Sequence, residues 1–196
     1  MPIEVDAKER KREVVEAAHA LIREGGLSAV TVRSLAARLG CSTTAITHYF
    51  ANKNEIILAS YRHSVERTAQ RRRESATAGF AAMLEAILPI GADNWGDWLV
   101  YIAFWSEALH DAALRSEQKL RNRSIIAAVD AELSVGAMLP DAVSRAERYE
   151  IARAIVATIY GVAVQSIFDP DQWDNEAQRR VLHRALSAYL PAISSA

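Results

Sequence analysis

Residues 31–53, TVRSLAARLGCSTTAITHYFANK, constrain this chain more than any other stretch, because two short helices and a glycine turn are written into them. Val32, Leu35, Ala36 and Leu39 recur at i, i+3, i+4 and i+7, the apolar stripe of a short amphipathic helix. Thr31 stands where an N-cap belongs, and Gly40 where a residue of positive φ ends the helix. Ser42 is placed to cap a second helix that buries Ile46, Tyr49 and Phe50. That packing turns Thr43, Thr44, Thr47 and His48 outward. Two helices joined this way form a helix-turn-helix, whose second helix enters a DNA major groove.

The residues carry more than the spacing. Gly25-Gly26, Thr31-Val32-Arg33, Leu35-Ala36, Leu39-Gly40, Ser42, Ile46, Tyr49-Phe50 and Lys53 lie within a segment, about residues 8–58, that resembles the DNA-binding domain of the TetR family. Ser42-Thr43 followed by Ile46-Thr47-His48-Tyr49-Phe50 is most similar to the choline-responsive BetI branch. A weaker likeness to that branch lies at Ala103-Phe104-Trp105, Leu109-His110 and residues 121–133. Two positions depart from the family pattern. Cys41 replaces the usual valine, and Thr47 lies where many members carry a phosphate-contacting tyrosine.

Charge is divided along the chain in the same sense. Residues 7–53 carry eight Lys/Arg against four Glu, a net +4, whereas residues 76–196 carry ten basic and fifteen acidic side chains, a net −5. A basic front and an acidic rear suit a protein that presents one end to phosphates. Threonine methyls can pack on thymine methyls, and threonine or histidine can hydrogen-bond base edges or phosphates. The third helix offers no Arg or Lys for guanine, so the strongest base contact is assigned to Arg33, which matches a base-reaching position of some relatives. Thr31, the free N–H groups of the second helix, Tyr49 and Lys53 are assigned to phosphates. Tyr49 shares a face with Ile46 and Phe50, so its ring belongs to the core whatever its hydroxyl does. Lys8, Arg10, Lys11 and Arg12 are read either as an N-terminal arm to the DNA backbone or as solvated charge.

Helical periodicity runs almost throughout, with no sustained alternation, so the expected fold is all-α with about nine helices. A first helix is read at about residues 7–24, burying Val14, Ala18 and Leu21. The fourth runs from Asn52-Lys53 toward Arg73, and the fifth from 76 to 88, stopped by Pro89. Asp93 or Asn94 is expected to cap a sixth that reaches about 110. The seventh spans 112–135, the eighth 141–168 and the ninth about 175–190. The expected division is a DNA-binding domain over residues 1–52 and an effector-binding and dimerisation domain over 53–196.

Two further constellations follow. Trp95, Trp98, Tyr101, Phe104 and Trp105 fall on one broad helical stripe. Core packing is the first reading of any single ring. In a ligand-responsive repressor, at least one should face a cavity for a small organic effector, and a quaternary ammonium would be held by cation–π attraction. Trp98, Tyr101, Phe104 and Trp105 are the expected ligand contacts. Ile155, Ile159 and Val162, with Leu182 and Leu186, mark stripes on the last two helices that are assigned to a homodimer interface. A dimer is what a two-fold operator requires.

Other chemistries find little support. The sequence has no glycine-rich phosphate loop, HExxH, paired Cys-x-x-Cys or Gly-x-Ser-x-Gly. Its five histidines, at 19, 48, 63, 110 and 183, show no ligand spacing, so no catalytic residue, metal or cofactor is expected. The single cysteine, Cys41, is read as a small buried residue of the turn in a reducing cytoplasm. The N-terminus shows no apolar segment after its charges, and the apolar run at 154–168 is short of the ~20 residues of a membrane span. The expected function is a repressor that binds a palindromic double-stranded DNA operator as a homodimer and is released by a small effector. The alternative is a small-molecule-binding helical protein without operator function.

Overall fold

A computed structural model describes residues 2–136 and 138–190, and the secondary structure among them is helical throughout. The helices are α1 (Pro2–Gly25), α2 (Val32–Leu39), α3 (Thr43–Tyr49), α4 (Lys53–Ser75), α5 (Phe80–Glu85), α6 (Ala92–Ala108), α7 (Ala112–Val135), α8 (Arg145–Phe168) and α9 (Asn175–Tyr189). The chain forms two compact units. One holds the chain up to Arg67 together with Gly96–Leu114; the other holds Thr68–Trp95 and the chain from Arg115 onward. This division differs from the expected one at residues 52 and 53, because most of α6 joins the unit that contains the helix-turn-helix.

In the first unit, Val14, Ala18 and Ile22 of α1 meet Val30, Leu35, Ala36, Ile46, Phe50 and Ile56 in one core, to which α6 adds Val100. Leu35 and Ile46 are closed from solvent, and each such burial contributes about 1.5–3 kcal/mol. Leu21 packs at the margin, partly buried. Helix α1 begins at Pro2, so Lys8, Arg10, Lys11 and Arg12 lie along it. Arg10 pairs with Glu13, and Arg12 with Glu9 and Glu16, along the same helix.

In the second unit α8 packs on α9. Asp130 of α7 binds Arg148 of α8 at 2.8 Å, while Glu85 of α5 takes Arg179 and His183 of α9. The sequence-based bounds fail at three helix starts. Over 76–88 there is a 3-10 turn, Ala76–Ala78, and then the short α5, separated by Gly79 at φ 102°, which breaks the helix. Asn94 does not cap α6; its amide donates to the carbonyls of Ala86 and Leu88 and so closes the chain that precedes α6. The start of α8 falls at 145, not 141, because Ser144 and Glu147 form a capping box there.

The two apolar stripes require a further correction. Ile155, Ile159, Val162, Leu182 and Leu186 are between 0% and 4% exposed within the single chain. They therefore serve their own unit's core and leave no surface for a partner to cover. The outward faces carry other residues: Ala157, Gly161 and Phe168 on α8, and Val181, Ala188 and Tyr189 on α9. By length and composition α8 could also cross a membrane, but seven of its residues are buried in the protein's own core.

Candidate functional site

The helix-turn-helix is set by local bonds that its sequence supplies. Thr31 Oγ1 accepts from the Ser34 N–H (3.0 Å) and Ser34 Oγ accepts from the Thr31 N–H (2.9 Å), a capping box at the start of α2. Such a cap contributes about 1 kcal/mol. Gly40 ends the helix in the left-handed region (φ 63°, ψ 31°), and the Cys41 N–H then reaches the Ala36 carbonyl at 3.0 Å. A side chain at Gly40 would meet open space, so the backbone angle alone demands glycine. Ser42 Oγ accepts from the Ala45 N–H (3.2 Å) and starts α3. Asn52 Oδ1 takes the Glu55 N–H, and Glu55 in turn takes the Ala51 N–H, which fixes the first turn of α4 and the position of Lys53.

These elements leave the assigned DNA contacts open to solvent. Thr31, Arg33, Ser42, Thr43, Thr44, Thr47, His48 and Lys53 are all exposed, and Tyr49 is half-buried beside Ile46 and Phe50. Thr47 Oγ1 donates to the Thr44 carbonyl (3.2 Å), which leaves its methyl group and lone pairs outward. His48 lies edge-on to Tyr49 with ring centroids 5.0 Å apart. Among the described residues neither Arg33 nor Lys53 has a carboxylate partner. Arg38 differs: Glu24 holds it through two bonds of 2.7 and 2.6 Å, tying α2 to α1. That bond holds the Glu24 carboxyl below its ordinary pKa, and the Arg38 guanidinium above its own. The basic residues of the motif thus divide into a strut, Arg38, and two cations, Arg33 and Lys53, that anionic oxygens can reach.

Cys41 was expected in the core and is exposed instead. The reason is geometric: Gly40 turns the chain before it, and Leu39 and Ile46 already line that edge of the core. Cys41 borders a cleft of about 410 Å³ with Arg10, Val14, Ala45 and Tyr49.

The four assigned ligand contacts form a closed ring cluster in the first unit. Trp98 meets Tyr101 edge-on at 5.4 Å and Trp105 at 5.7 Å; Phe104 stacks on Tyr61 of α4 at 3.8 Å. Tyr101 donates its hydroxyl to the Ser64 carbonyl at 2.9 Å. Trp98, Tyr101 and Phe104 are buried and Trp105 is half-buried, so Trp105 keeps the most ring surface. Trp95, on the same stripe, falls in the second unit.

Sequence reasoning missed two buried polar residues beside these rings, His19 and Asp97, whose side chains lie 2.8 Å apart. A signal was present in each case. His19 sits on an α1 face otherwise made of Val15, Ala18 and Ile22, and Asp97 sits between Trp95 and Trp98.

Comparison with known proteins agrees with this geometry. Residues 14–60 match the family model for bacterial regulatory proteins of the tetR family, and residues 76–191 match that for the C-terminal part of BetI-type transcriptional repressors. The HTH-type transcriptional regulator BetI of Paraburkholderia phymatum is 30% identical over 179 residues, 88% of each chain. BetI of Burkholderia mallei is 29% identical over 178 residues, covering 86% of this chain and 87% of that one. Among solved structures, a transcriptional regulator from Rhodococcus superposes with a TM-score of 0.81 at 22% identity, covering 92% of this chain and 96% of that one. A putative transcriptional regulator from Saccharomonospora viridis, solved with choline, superposes with a TM-score of 0.75 at 22% identity over 93% of this chain and 98% of its own. With its helix-turn-helix at the N-terminus and a BetI-type C-terminal part, the chain belongs to the TetR family of DNA-binding transcriptional regulators.

Proposed function

We propose that the protein is a cytoplasmic repressor that binds an inverted-repeat operator as a homodimer and leaves it when a small organic effector binds. The observation that carries this reading is the exposed hydroxyl-rich face of α3, with Arg33 and Lys53 that have no carboxylate partner among the described residues. Arg33 reads a base edge, Thr43, Thr44, Thr47 and His48 meet bases or phosphates, and Thr31, Ser42, Tyr49 and Lys53 hold the backbone. DNA contact thus belongs to residues 1–52 with Lys53 at their edge, and effector binding and dimerisation to residues 53–196.

The dimer forms through the outward faces of α8 and α9. Phe168 is 73% exposed, and apart from the helix's own neighbouring backbone nothing lies within 4 Å of where a Gly161 side chain would begin, so a partner helix can approach closely there. Ile155, Ile159, Val162, Leu182 and Leu186 act beneath this face, holding the two helices in register. Gly161→Arg should therefore leave the chain folded while producing monomers that no longer bind operator. A soluble Gly161→Arg dimer with full DNA affinity, seen by sedimentation and mobility shift, would refute this interface.

The effector contacts Trp105 and Tyr101, with Trp98 and Phe104 packed behind them. Its class is a quaternary ammonium compound, on two supports: the aromatic surroundings suit a cation, and the Saccharomonospora viridis regulator of like fold was solved with choline. The ligand shifts the population toward a conformation whose recognition helices are mis-spaced, by its differential affinity for that state. Titration with choline should change tryptophan fluorescence and release DNA over the same concentrations. If a compound that releases DNA binds the Trp105→Ala and Tyr101→Ala proteins at full affinity, the effector site lies elsewhere.

A further inference from the structure

The carboxylate of Asp97 is the most buried charge of the first unit: it lies on α6, is fully closed from solvent, and has partners on two other helices. His19 Nε2 of α1 hydrogen-bonds to its Oδ1 at 2.8 Å, and Arg67 Nε of α4 reaches its Oδ2 at 3.4 Å. His19 is itself buried, and His63 of α4 meets its ring edge-on at 6.0 Å. One residue earlier, the Arg23 side chain of α1 lies across Gly96 so closely that a Cβ there would fall 2.3 Å from Nε. Thus α1 touches the start of α6 at two consecutive residues by two different means. Burying a charged group in this way is seldom the most stabilising choice, since well-packed apolar side chains of similar volume often do as well or better. In some proteins such a pair instead supplies a single register between elements.

The two elements joined here matter for DNA. α1 packs against both α2 and α3, so its placement sets theirs. Asp97 is followed by Trp98, whose ring belongs to the aromatic cluster. Consecutive helical residues point about 100° apart, so one turn of α6 presents the carboxylate to α1 and α4 and the indole to the rings. Any rotation of α6 that moves Trp98 also moves the carboxylate that α1 holds.

We propose that Asp97 is a positioning residue for DNA binding: clasped by His19 and Arg67, it sets α1, and through α1 the recognition helix, in register with α6. This rests on the DNA-binding reading given above. His63 and Arg67 of α4 face the pair, Glu16 of α1 acts on His63, and Arg23 of α1 lies against Gly96.

The test uses the full-length protein and the DNA fragment that the wild type retains most strongly from a pool of genomic fragments. Four proteins are compared with it: Asp97→Asn, His19→Gln, those two changes combined, and the double variant His19→Leu with Asp97→Leu. The double leucine protein should melt at or above the wild-type temperature yet bind the fragment about tenfold more weakly, within the range that such couplings reach. Asp97→Asn and His19→Gln should each weaken binding, and combining them should weaken it no further than the worse of the two. A double leucine protein as stable as wild type that binds within about twofold of it would overturn the proposal. Should that variant not fold, Asp97→Asn decides: folded protein bound within about twofold of wild type overturns it, and weaker binding supports it. A wild type that retains no fragment would overturn the DNA-binding reading and this inference together; selective wild-type binding with unchanged variants would overturn the inference alone.

Discussion

Helices α3 and α6 were both marked by the sequence for contact with something outside the chain, and the structure treats them in opposite ways. On α3 the marked residues Thr43, Thr44, Thr47 and His48 are exposed, while Ile46 is buried and Ala45 and Tyr49 are half-buried. On α6 the marked residues Trp98, Tyr101 and Phe104 are buried against one another and against Tyr61. The stripes of α8 and α9 behave like α6. Polar groups on a short helix gain nothing by folding inward, so they stay where a partner can reach them. Apolar rings serve the chain's own core first, because burial stabilises them whether or not a ligand comes.

This contrast can be broken by mutation, and the largest effect should come from α6. Phe104→Ala empties a stacked, fully buried site and should cost about 3–5 kcal/mol in thermal or denaturant unfolding. If Phe104→Ala unfolds like wild type but loses effector binding, the ring serves the ligand and the contrast fails. Next comes α2, where Arg33→Ala should leave melting unchanged and cost roughly 1–3 kcal/mol of operator affinity, with relaxed preference at one base position. Competition binding over single-base operator variants checks this; loss of stability with base preference intact would make Arg33 structural.

A smaller effect is expected at α4. Lys53→Ala should weaken all DNA sequences alike and reduce the slope of log affinity against log salt by about 1. A changed preferred sequence with an unchanged slope would exchange the roles of Lys53 and Arg33. The smallest effect concerns pH. Burial first, and then the charges of His19 and Arg67, lower the pKa of His63 from its ordinary value of 6.5. The unfolded chain therefore binds more protons between the two values, so stability is lost as pH falls below about 6.5 and levels off beneath the folded value. Thermal melting at about pH 7.5 and about pH 5.5 should show this drop, and His63→Gln should shrink it. An unchanged drop in His63→Gln would assign it to other groups.

The same contrast explains how far the sequence could be read. The turn between α2 and α3 was legible because its determinants are local: Thr31 and Ser34 cap within one turn, and Gly40 adopts the left-handed angle that its position demanded. The bounds of α7 were legible for the same reason. The start of α8 carried an equally local signal, Ser144 with Glu147, which the broken region before it obscured. Asn94 was misplaced because its partners, the carbonyls of Ala86 and Leu88, belong to the preceding segment. Cys41 was misplaced because a small apolar residue in a turn reads as core until Gly40 turns the chain away. No local pattern could pair His19 with Asp97, since 78 residues separate them. Nor could one tell which face of α8 meets α9 and which remains outward.

In the proposed function, the exposed face of α3 reads DNA in two copies related by a two-fold axis. Selection of genomic fragments by the purified protein, followed by footprinting of those retained, tests it most directly. The retained fragments should share an inverted repeat whose half-sites lie about one helical turn, roughly 34–36 Å, or a multiple of it apart. Protection should disappear when Thr44 and Thr47 are both replaced by glutamate, in protein that still melts like wild type. Retained fragments with no common repeat, or protection unchanged in that variant, would contradict it.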